Sequence, residues 1–257
     1  MQDVTTSAVL LTGGTSGIGL ASAMVLASQG VRQFMLVGRS INRAAHAAET
    51  LLSVSTGLDV QTVSADVATP DGASKAAAAC VEAFGRIDAL VSSSGGDATP
   101  KLISEMTIEE MHITIGTITS GVVLPARAVL PQMMAQGCGS IVCIASDAAK
   151  VATPGEVAIG AAMGAIVSFC RNLAIEAKRS GIRVNAVTPS IVRGTPLYDK
   201  VMSEPFASKL FLKAESMAHL GVVEADDVAE LIAFLVGSGS SRLTGQAISV
   251  NGGISAA

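Results

Sequence analysis

The stretch that most constrains the fold is TGGTSGIG, which directly follows the apolar run Ala8–Leu11 and opens a helix-length segment. Glycine at Gly13, Gly17 and Gly19 lets the backbone turn tightly, approach a pyrophosphate and pack a helix against a strand. The amino end of that helix then faces the phosphate charge. A glycine pattern alone is weak evidence, and a tight turn that binds nothing is the alternative. The apolar strand before it and the helix after it, which we expect to be amphipathic, favour a nucleotide-binding turn.

Short apolar runs alternate with helix-length segments along the whole chain, which predicts a parallel sheet with helices on both faces. The predicted strands are Ala8–Thr12, Gln33–Val37, Asp59–Ser64, Ala89–Val91, Ser140–Ile144, Arg183–Val187 and Ala247–Val250. The predicted helices are Gly17–Gln29, Arg43–Leu52, Ala73–Phe84, Ile108–Gln136 (interrupted by Gly116, Gly121 and Pro125), Pro154–Lys178 and Ala225–Val236. No linker or repeat divides the 257 residues, so we expect one domain over 1–257. The segment 198–220 breaks the alternation and is expected to form a lid over the substrate.

Charge and cysteine content exclude several classes of protein. A net charge of -4 without a run of basic residues argues against nucleic acid as a partner. The 4 cysteines have no metal-ligand spacing, so no metal site is expected and a reduced, cytoplasmic protein is predicted. The N-terminus lacks the basic region of a signal peptide. Apolar stretches such as Val157–Cys170 look too short to span a membrane, so no membrane association is expected.

The end of the second strand, FMLVGRS, indicates which dinucleotide would bind. Gly38 stands where a carboxylate would accept a hydrogen bond from the adenosine ribose and favour NAD(H). Arg39, Ser40 and Arg43 follow it, and guanidinium groups suit a 2'-phosphate because they offer a permanently charged, bidentate fork. We therefore expect NADP(H) rather than NAD(H). Solvated surface arginines are the alternative.

Five motifs together resemble the short-chain dehydrogenase/reductase family: TGGTSGIG, the Asp66–Val67 pair, GSIVCIAS, GIRVNAVTPS and LTGQAISVNGG. The resemblance spans nearly the whole chain. It implies a single-domain, doubly wound Rossmann fold of the α/β class with a seven-stranded parallel sheet. It also implies a homodimer or homotetramer formed through the helices around Pro131–Gln136 and Ala161–Ala177. The cofactor-binding residues that it implies, with Arg39 and Ser40, are Gly13, Thr15, Ser16, Gly17, Ile18, Gly19, Asp66, Val67, Ser93, Ser94, Gly95, Pro189, Ser190, Val192 and Thr195.

The catalytic residues of that family are only partly present. The family has a Ser after the fifth strand, a Tyr thirteen residues later, a Lys four residues after the Tyr, and an Asn on the preceding helix. Ser146 matches the Ser, whereas Ile159 stands at the Tyr position and Met163 at the Lys position; the Asn position falls near Ile118. No shift of register restores the pair, because Tyr198 is the chain's 1 tyrosine. We expect an apolar pocket without the family's proton donor.

Two carboxylates are candidate substitutes for that donor. Asp147 follows Ser146 at the end of the fifth strand, although a solvated loop or capping role is the alternative. Glu156 precedes Ile159 by three residues and could reach the same face of the helix, although a first-turn Glu that complements the helix dipole is the alternative. Tyr198, in the expected lid, is a further candidate pocket residue.

Three functions fit these residues. The first is an atypical NADP(H)-dependent reductase that transfers hydride to a bulky, hydrophobic carbonyl, enone or iminium substrate, as in specialised metabolism. Reduction of an iminium needs no protonation of an oxyanion. The second is a non-redox lyase, cyclase or isomerase that uses the same pocket. The third is a catalytically silent nucleotide-binding partner.

Overall fold

The computed structural model describes residues 7–257 and contains nine strands and eight α-helices within that range. The strands are β1 (Ala8–Thr12), β2 (Gln33–Gly38), β3 (Asp59–Ser64), β4 (Ala89–Ser92), β5 (Gly139–Ile144), β6 (Ile182–Pro189), β7 (Val192–Arg193), β8 (Val223–Glu224) and β9 (Ala247–Val250). The helices are α1 (Gly17–Ser28), α2 (Ile41–Leu52), α3 (Pro70–Phe84), α4 (Ile108–Gln136), α5 (Val157–Ala177), α6 (Pro196–Ser203), α7 (Pro205–Glu215) and α8 (Ala225–Val236). The expected lack of a signal peptide concerns residues 1–6, which lie outside the described range.

Seven strands form one parallel sheet in the order β3-β2-β1-β4-β5-β6-β9, and β7 and β8 pair separately. The predicted α/β class and seven-stranded parallel Rossmann sheet are therefore confirmed. The strand order reverses between β1 and β4, and open sheets of this kind bind ligands at the carboxyl ends of the strands beside that reversal.

The burial of the strands follows their sequence. Every residue of β1 and β4 is buried, because helices cover both faces of the sheet at its centre. The edge strand β3 reads DVQTVS and is largely exposed, as its polar residues allow. One apolar core lies on each face of the sheet, with Leu10 and Ile141 on one side and Leu11 and Val142 on the other.

Two helices differ from their prediction. Helix α4 runs without a break through Pro125 and Pro131, so the expected interruptions are wrong. Gly121 has a packing reason instead, since a side chain there would overlap the carbonyl oxygen of Ser94. Helix α1 is apolar on most sides rather than amphipathic, because it packs between the sheet and α8.

The longest helices also bear on the expected absence of a membrane span. Ile108–Gln136 and Val157–Ser180 are long and apolar enough to cross a membrane, so the sequence argument from length was wrong. Both helices nevertheless pack against the sheet through buried residues such as Val122 and Ile166. This packing accounts for their apolar composition as helices of the core.

Candidate active site

A cleft of about 550 Å³ opens at the carboxyl ends of the central strands. All residues that the sequence proposed for the site line this cleft except Gly19, Ser40 and Asp147. The phosphate turn and the ends of β2 and β3 form one end of it. Ser146 after β5, the first turns of α5 and the lid helices form the other end.

The glycine turn is built to leave room for an anion. Gly13 has a φ of 70° and lies so close to β4 that a Cβ would stand 2.8 Å from the carbonyl oxygen of Ser93. Gly19 faces away from the cleft, where a Cβ would overlap the carbonyl oxygen of Gly13, so its role is close packing of α1. Ser16 begins α1 without a side-chain capping bond, and the first turn holds no acidic residue. The free N–H groups at this helix end are therefore directed at the cleft.

The end of β2 presents positive charge to the cleft. Arg39 and Arg43 line it and are exposed, and neither forms an ion pair within residues 7–257. A side chain at Gly38 would crowd Thr15, because a Cβ would lie 2.7 Å from its hydroxyl oxygen. Ser40 does not reach the cleft; its hydroxyl accepts the N–H of Arg43 at 3.4 Å and caps α2.

The opposite end of the cleft has an apolar wall beside the hydroxyl of Ser146. Ile159 and Met163 lie four residues apart on α5 and both line the cleft, together with Ile118 from α4. Ser146 is half-buried, and its Oγ accepts the N–H of Ala148 at 3.2 Å. Because the oxygen serves as acceptor in that bond, the hydroxyl proton remains free to bind a substrate oxygen.

Asp147 points away from the cleft, which corrects its expected position beside the substrate. Its carboxylate is buried and accepts hydrogen bonds from the hydroxyls of Ser249 and Ser255 at 2.9 Å each. It also accepts the side-chain amide of Asn251. Asp147 therefore ties the end of β5 to the C-terminal segment, and a cleft-bound substrate would not touch it.

The expected lid segment folds as α6 and α7, beginning at Pro196 rather than Tyr198. Tyr198 lines the cleft, and its hydroxyl donates to Glu215 Oε1 at 2.9 Å. Arg193 donates to both oxygens of Glu215 at 2.9 Å, and these bonds hold the pKa of that carboxyl below its usual value. Lys200 reaches across the cleft to Asp97, with an Nζ to Oδ2 distance of 3.2 Å.

Several lining residues were missed by sequence reasoning. They include Pro100 from the loop after β4, Thr117 from α4, and Leu197, Lys200 and Phe211 from α6 and α7. A local signal for the lid helices exists, since Thr195–Pro196 and Glu204–Pro205 are typical helix starts with proline in the first turn. No local signal indicates which of their side chains face the cleft.

Comparison with known proteins gives the same fold and a family. The family model described as enoyl-(acyl carrier protein) reductase matches residues 13–255. The chain is 32% identical to 2-(R)-hydroxypropyl-CoM dehydrogenase of Xanthobacter autotrophicus, over 96% of this chain and 98% of that protein. It is 29% identical to 3-oxoacyl-(acyl-carrier-protein) reductase of a Synechocystis species, over 99% of both. The crystal structure of levodione reductase superposes with a TM-score of 0.89, at 29% identity and 98% coverage of both chains.

The chain belongs to the short-chain dehydrogenase/reductase family. Its relatives are reductases and dehydrogenases, which supports an oxidoreductase of this kind. The family and the Rossmann fold imply a nicotinamide cofactor. The cleft fits one, because the uncapped amino end of α1 offers N–H groups to a pyrophosphate and the glycines keep side chains out of its path. Within residues 7–257, no three His, Cys, Asp or Glu side chains come together to hold a metal ion.

Proposed function

We propose that this protein is an NADP(H)-dependent reductase that works without the tyrosine and lysine of its family. The observation that carries the proposal is the apolar pair of Ile159 and Met163, which faces the cleft beside Ser146 while the cofactor end of the cleft retains its glycines. The family resemblance assigns the tyrosine and lysine to those two positions. The uncapped helix end and the glycine turn together suit a bound phosphate, and their presence supports a protein that binds the cofactor.

The cofactor is proposed to be NADP(H) because of the arginines after β2. Arg39 and Arg43 would pair with a 2'-phosphate, and nothing else among the described residues neutralises them. When bound, the cofactor supplies a hydride. Ser93, Ser94 and Gly95 at one wall, and Pro189, Ser190, Val192 and Thr195 at the other, would hold its nicotinamide end.

The substrate is proposed to be bulky and hydrophobic. Ile159 and Met163 form the wall beside Ser146, and Leu197 and Phe211 of the lid cover the cleft. Ser146 would donate a hydrogen bond to the substrate oxygen and hold the carbonyl in place, while the apolar side chains exclude water. Loss of the family's acid costs about 10²–10⁴ in rate for an ordinary ketone. An iminium or enone substrate would avoid that loss of rate, and so would a proton donor other than the tyrosine.

Titration of the protein with NADPH and with NADH, followed by nicotinamide fluorescence, tests the cofactor. We expect NADPH to bind at least tenfold more tightly than NADH, and Arg39→Ala to remove most of that preference. The reason is that loss of a charge-assisted hydrogen bond costs about 1.5–3 kcal/mol, or roughly 10–150-fold in affinity. Arg179→Ala, an exposed arginine of the turn after α5, is the matched control. If wild type and Arg39→Ala bound NADPH with equal affinity, the NADP(H) assignment would be contradicted.

Loss of NADPH absorbance with a panel of bulky ketones, enones and iminium salts then tests the reaction. Turnover of at least one class supports the reductase. Binding of NADPH without turnover of any member would favour the catalytically silent partner. Absence of binding by either nucleotide would overturn the proposal altogether.

We further propose that the protein forms a homodimer or homotetramer in the cytoplasm. Val157 and Ile175 on α5, and Met134 on α4, leave more than half of their surface exposed, although α4 and α5 pack side by side. Cys80, Cys143 and Cys170 are buried as thiols rather than joined in disulfides, which suits a reducing compartment. Light scattering coupled to size exclusion tests the oligomer, and a monomer at micromolar concentration would contradict it.

A further inference from the structure

The titratable side chains that line the cleft can each be accounted for except one. They are Arg39, Arg43, Asp66, Asp97, Glu156, Tyr198 and Lys200. Arg39 and Asp66 follow β2 and β3, and Arg43 lies in the first turn of α2, where the adenosine would bind. Asp97 and Lys200 pair with each other, and the Tyr198 hydroxyl donates a hydrogen bond to Glu215. Glu156 alone stands at the apolar end of the cleft without an ion pair within the described chain.

Glu156 lies on the face of α5 that the substrate would touch. It directly precedes α5, three residues before Ile159 and seven before Met163, a spacing that places all three on one side of a helix. Its side chain makes no capping hydrogen bond to the helix, so the role of a helix-cap glutamate does not occupy it. Glu156, Ile159, Met163 and Ser146 all line the same end of the cleft.

The surroundings of Glu156 favour its protonated form. Burial raises the pKa of its carboxyl, and a hydrogen bond with the Thr153 side chain opposes this only in part. The charged groups on the adjacent elements are engaged elsewhere, so no cation among residues 7–257 pairs with the carboxylate. On its own loop, Asp147 and Lys150 bond to the C-terminal segment.

On the other elements packed around this turn, the cationic side chains are also paired with groups other than Glu156. Lys101, whose backbone N–H donates to the carbonyl of Gly155 at 2.8 Å, pairs through its side chain with Glu110 at 2.8 Å. On the lid, Lys200 is held by Asp97. A carboxyl that is partly buried among apolar side chains without a cationic partner keeps its proton to a higher pH than a solvated one, which suits it to act as an acid.

We propose that Glu156 is the proton donor of the reduction, in place of the family's tyrosine. This inference rests on the proposed function and names the group that completes it. A hydride delivered to the carbonyl carbon pushes the π electrons onto the carbonyl oxygen, which is held by Ser146. The oxygen takes the proton of the Glu156 carboxyl as the new C–H bond forms. The substrate gains two electrons and two hydrogens, the nicotinamide is oxidised, and the Glu156 carboxylate recovers a proton from water.

Glu156→Gln removes the acid with little change in shape, and Glu176→Gln, an exposed glutamate on α5, is the matched control. With a bulky ketone that the wild type reduces, we expect kcat for Glu156→Gln to fall about 10²–10⁴-fold. NADPH affinity should remain within twofold of wild type. The wild-type rate should decline as pH rises through the pKa of Glu156, and this decline should be absent in the residual activity of the variant.

Rescue of Glu156→Ala by added formate or acetate separates a proton donor from a structural residue. We expect kcat of this variant to rise in proportion to the concentration of the acid form. Wild-type rates in Glu156→Gln would overturn the assignment of Glu156 while leaving the reductase standing. A slow variant with an unchanged pH profile and no rescue would also overturn it, in favour of a structural role. A wild type that binds NADPH but reduces no carbonyl would instead refute the proposed function, and the donor with it.

Discussion

Replacement of Asp147 by Asn tests whether this residue holds the structure together or takes part in the reaction. The carboxylate accepts three hydrogen bonds, from Ser249, Asn251 and Ser255, in a buried position. An amide keeps only one acceptor oxygen, so one or two of these bonds are lost and an N–H₂ group then faces donors. Since a hydrogen bond to a charged group is worth about 1.5–3 kcal/mol, we expect a loss of about 2–4 kcal/mol in the free energy of unfolding.

A loss of that size lowers Tm by about 4–16 °C, because 1 kcal/mol corresponds to roughly 2–4 °C in a domain of this size. Thermal denaturation with and without NADPH measures it, and NADPH oxidation with a reducible substrate measures kcat. We expect kcat at 20 °C to stay within about threefold of wild type. Asp71→Asn, an exposed aspartate in the first turn of α3, should change stability by less than about 1 kcal/mol. A wild-type Tm with a hundredfold lower kcat for Asp147→Asn would refute the structural assignment and return Asp147 to the reaction.

Three further changes test other parts of the site. Gly19→Ala places a methyl group against the carbonyl oxygen of Gly13, so the Kd for NADPH should rise at least about tenfold. Gly116→Ala is the control, because Gly116 has open space around it and the Kd should stay unchanged. Equal Kd values for the two variants would contradict the close packing at Gly19. Glu156→Gln should raise Tm at pH 8. Burial raises the pKa of the Glu156 carboxyl above its ordinary value of 4.5, so the folded protein loses stability as pH rises from 4.5 through the pKa in the folded state. The uncharged glutamine avoids this loss. The difference should vanish near pH 4, and equal Tm values at pH 8 would count against a buried carboxyl. Lys200→Met breaks a half-exposed ion pair with Asp97 and should cost less than about 1 kcal/mol of stability. It should raise KM for a bulky ketone several-fold by loosening the lid, and an unchanged KM would show that the lid does not depend on this contact.

The fold could be predicted because its signals are local. The seven strands of the main sheet, most of them apolar and each four to eight residues long, alternate with helices, and the glycines after Thr12 mark the turn at the carboxyl end of β1. Helix starts were less well predicted where the signal was a proline or a capping residue. Helix α3, for example, begins at Pro70 after the capping Thr69 rather than at Ala73.

The contacts that define the site depend on residues far apart in the chain. Asp147 follows Ser146 directly, yet its partners lie 102 to 108 residues later, so no local pattern could place it on the C-terminal segment. Tyr198 could be expected to line the cleft, but its bond to Glu215 depends on how α6 and α7 pack. Glu156 could be placed beside Ile159 by helical spacing alone, whereas its lack of a capping bond and its burial required the structure.

Transfer of deuterium from NADPH labelled twice at C4 tests the central claim most directly. The protein is incubated with the labelled cofactor and a bulky, hydrophobic ketone, and the product is analysed by mass spectrometry. We expect an alcohol that carries one deuterium at the former carbonyl carbon, formed by a site that has Ile159 and Met163 in its wall. A protein that binds the labelled cofactor in the cleft but yields no deuterated product from any ketone, enone or iminium would contradict the claim.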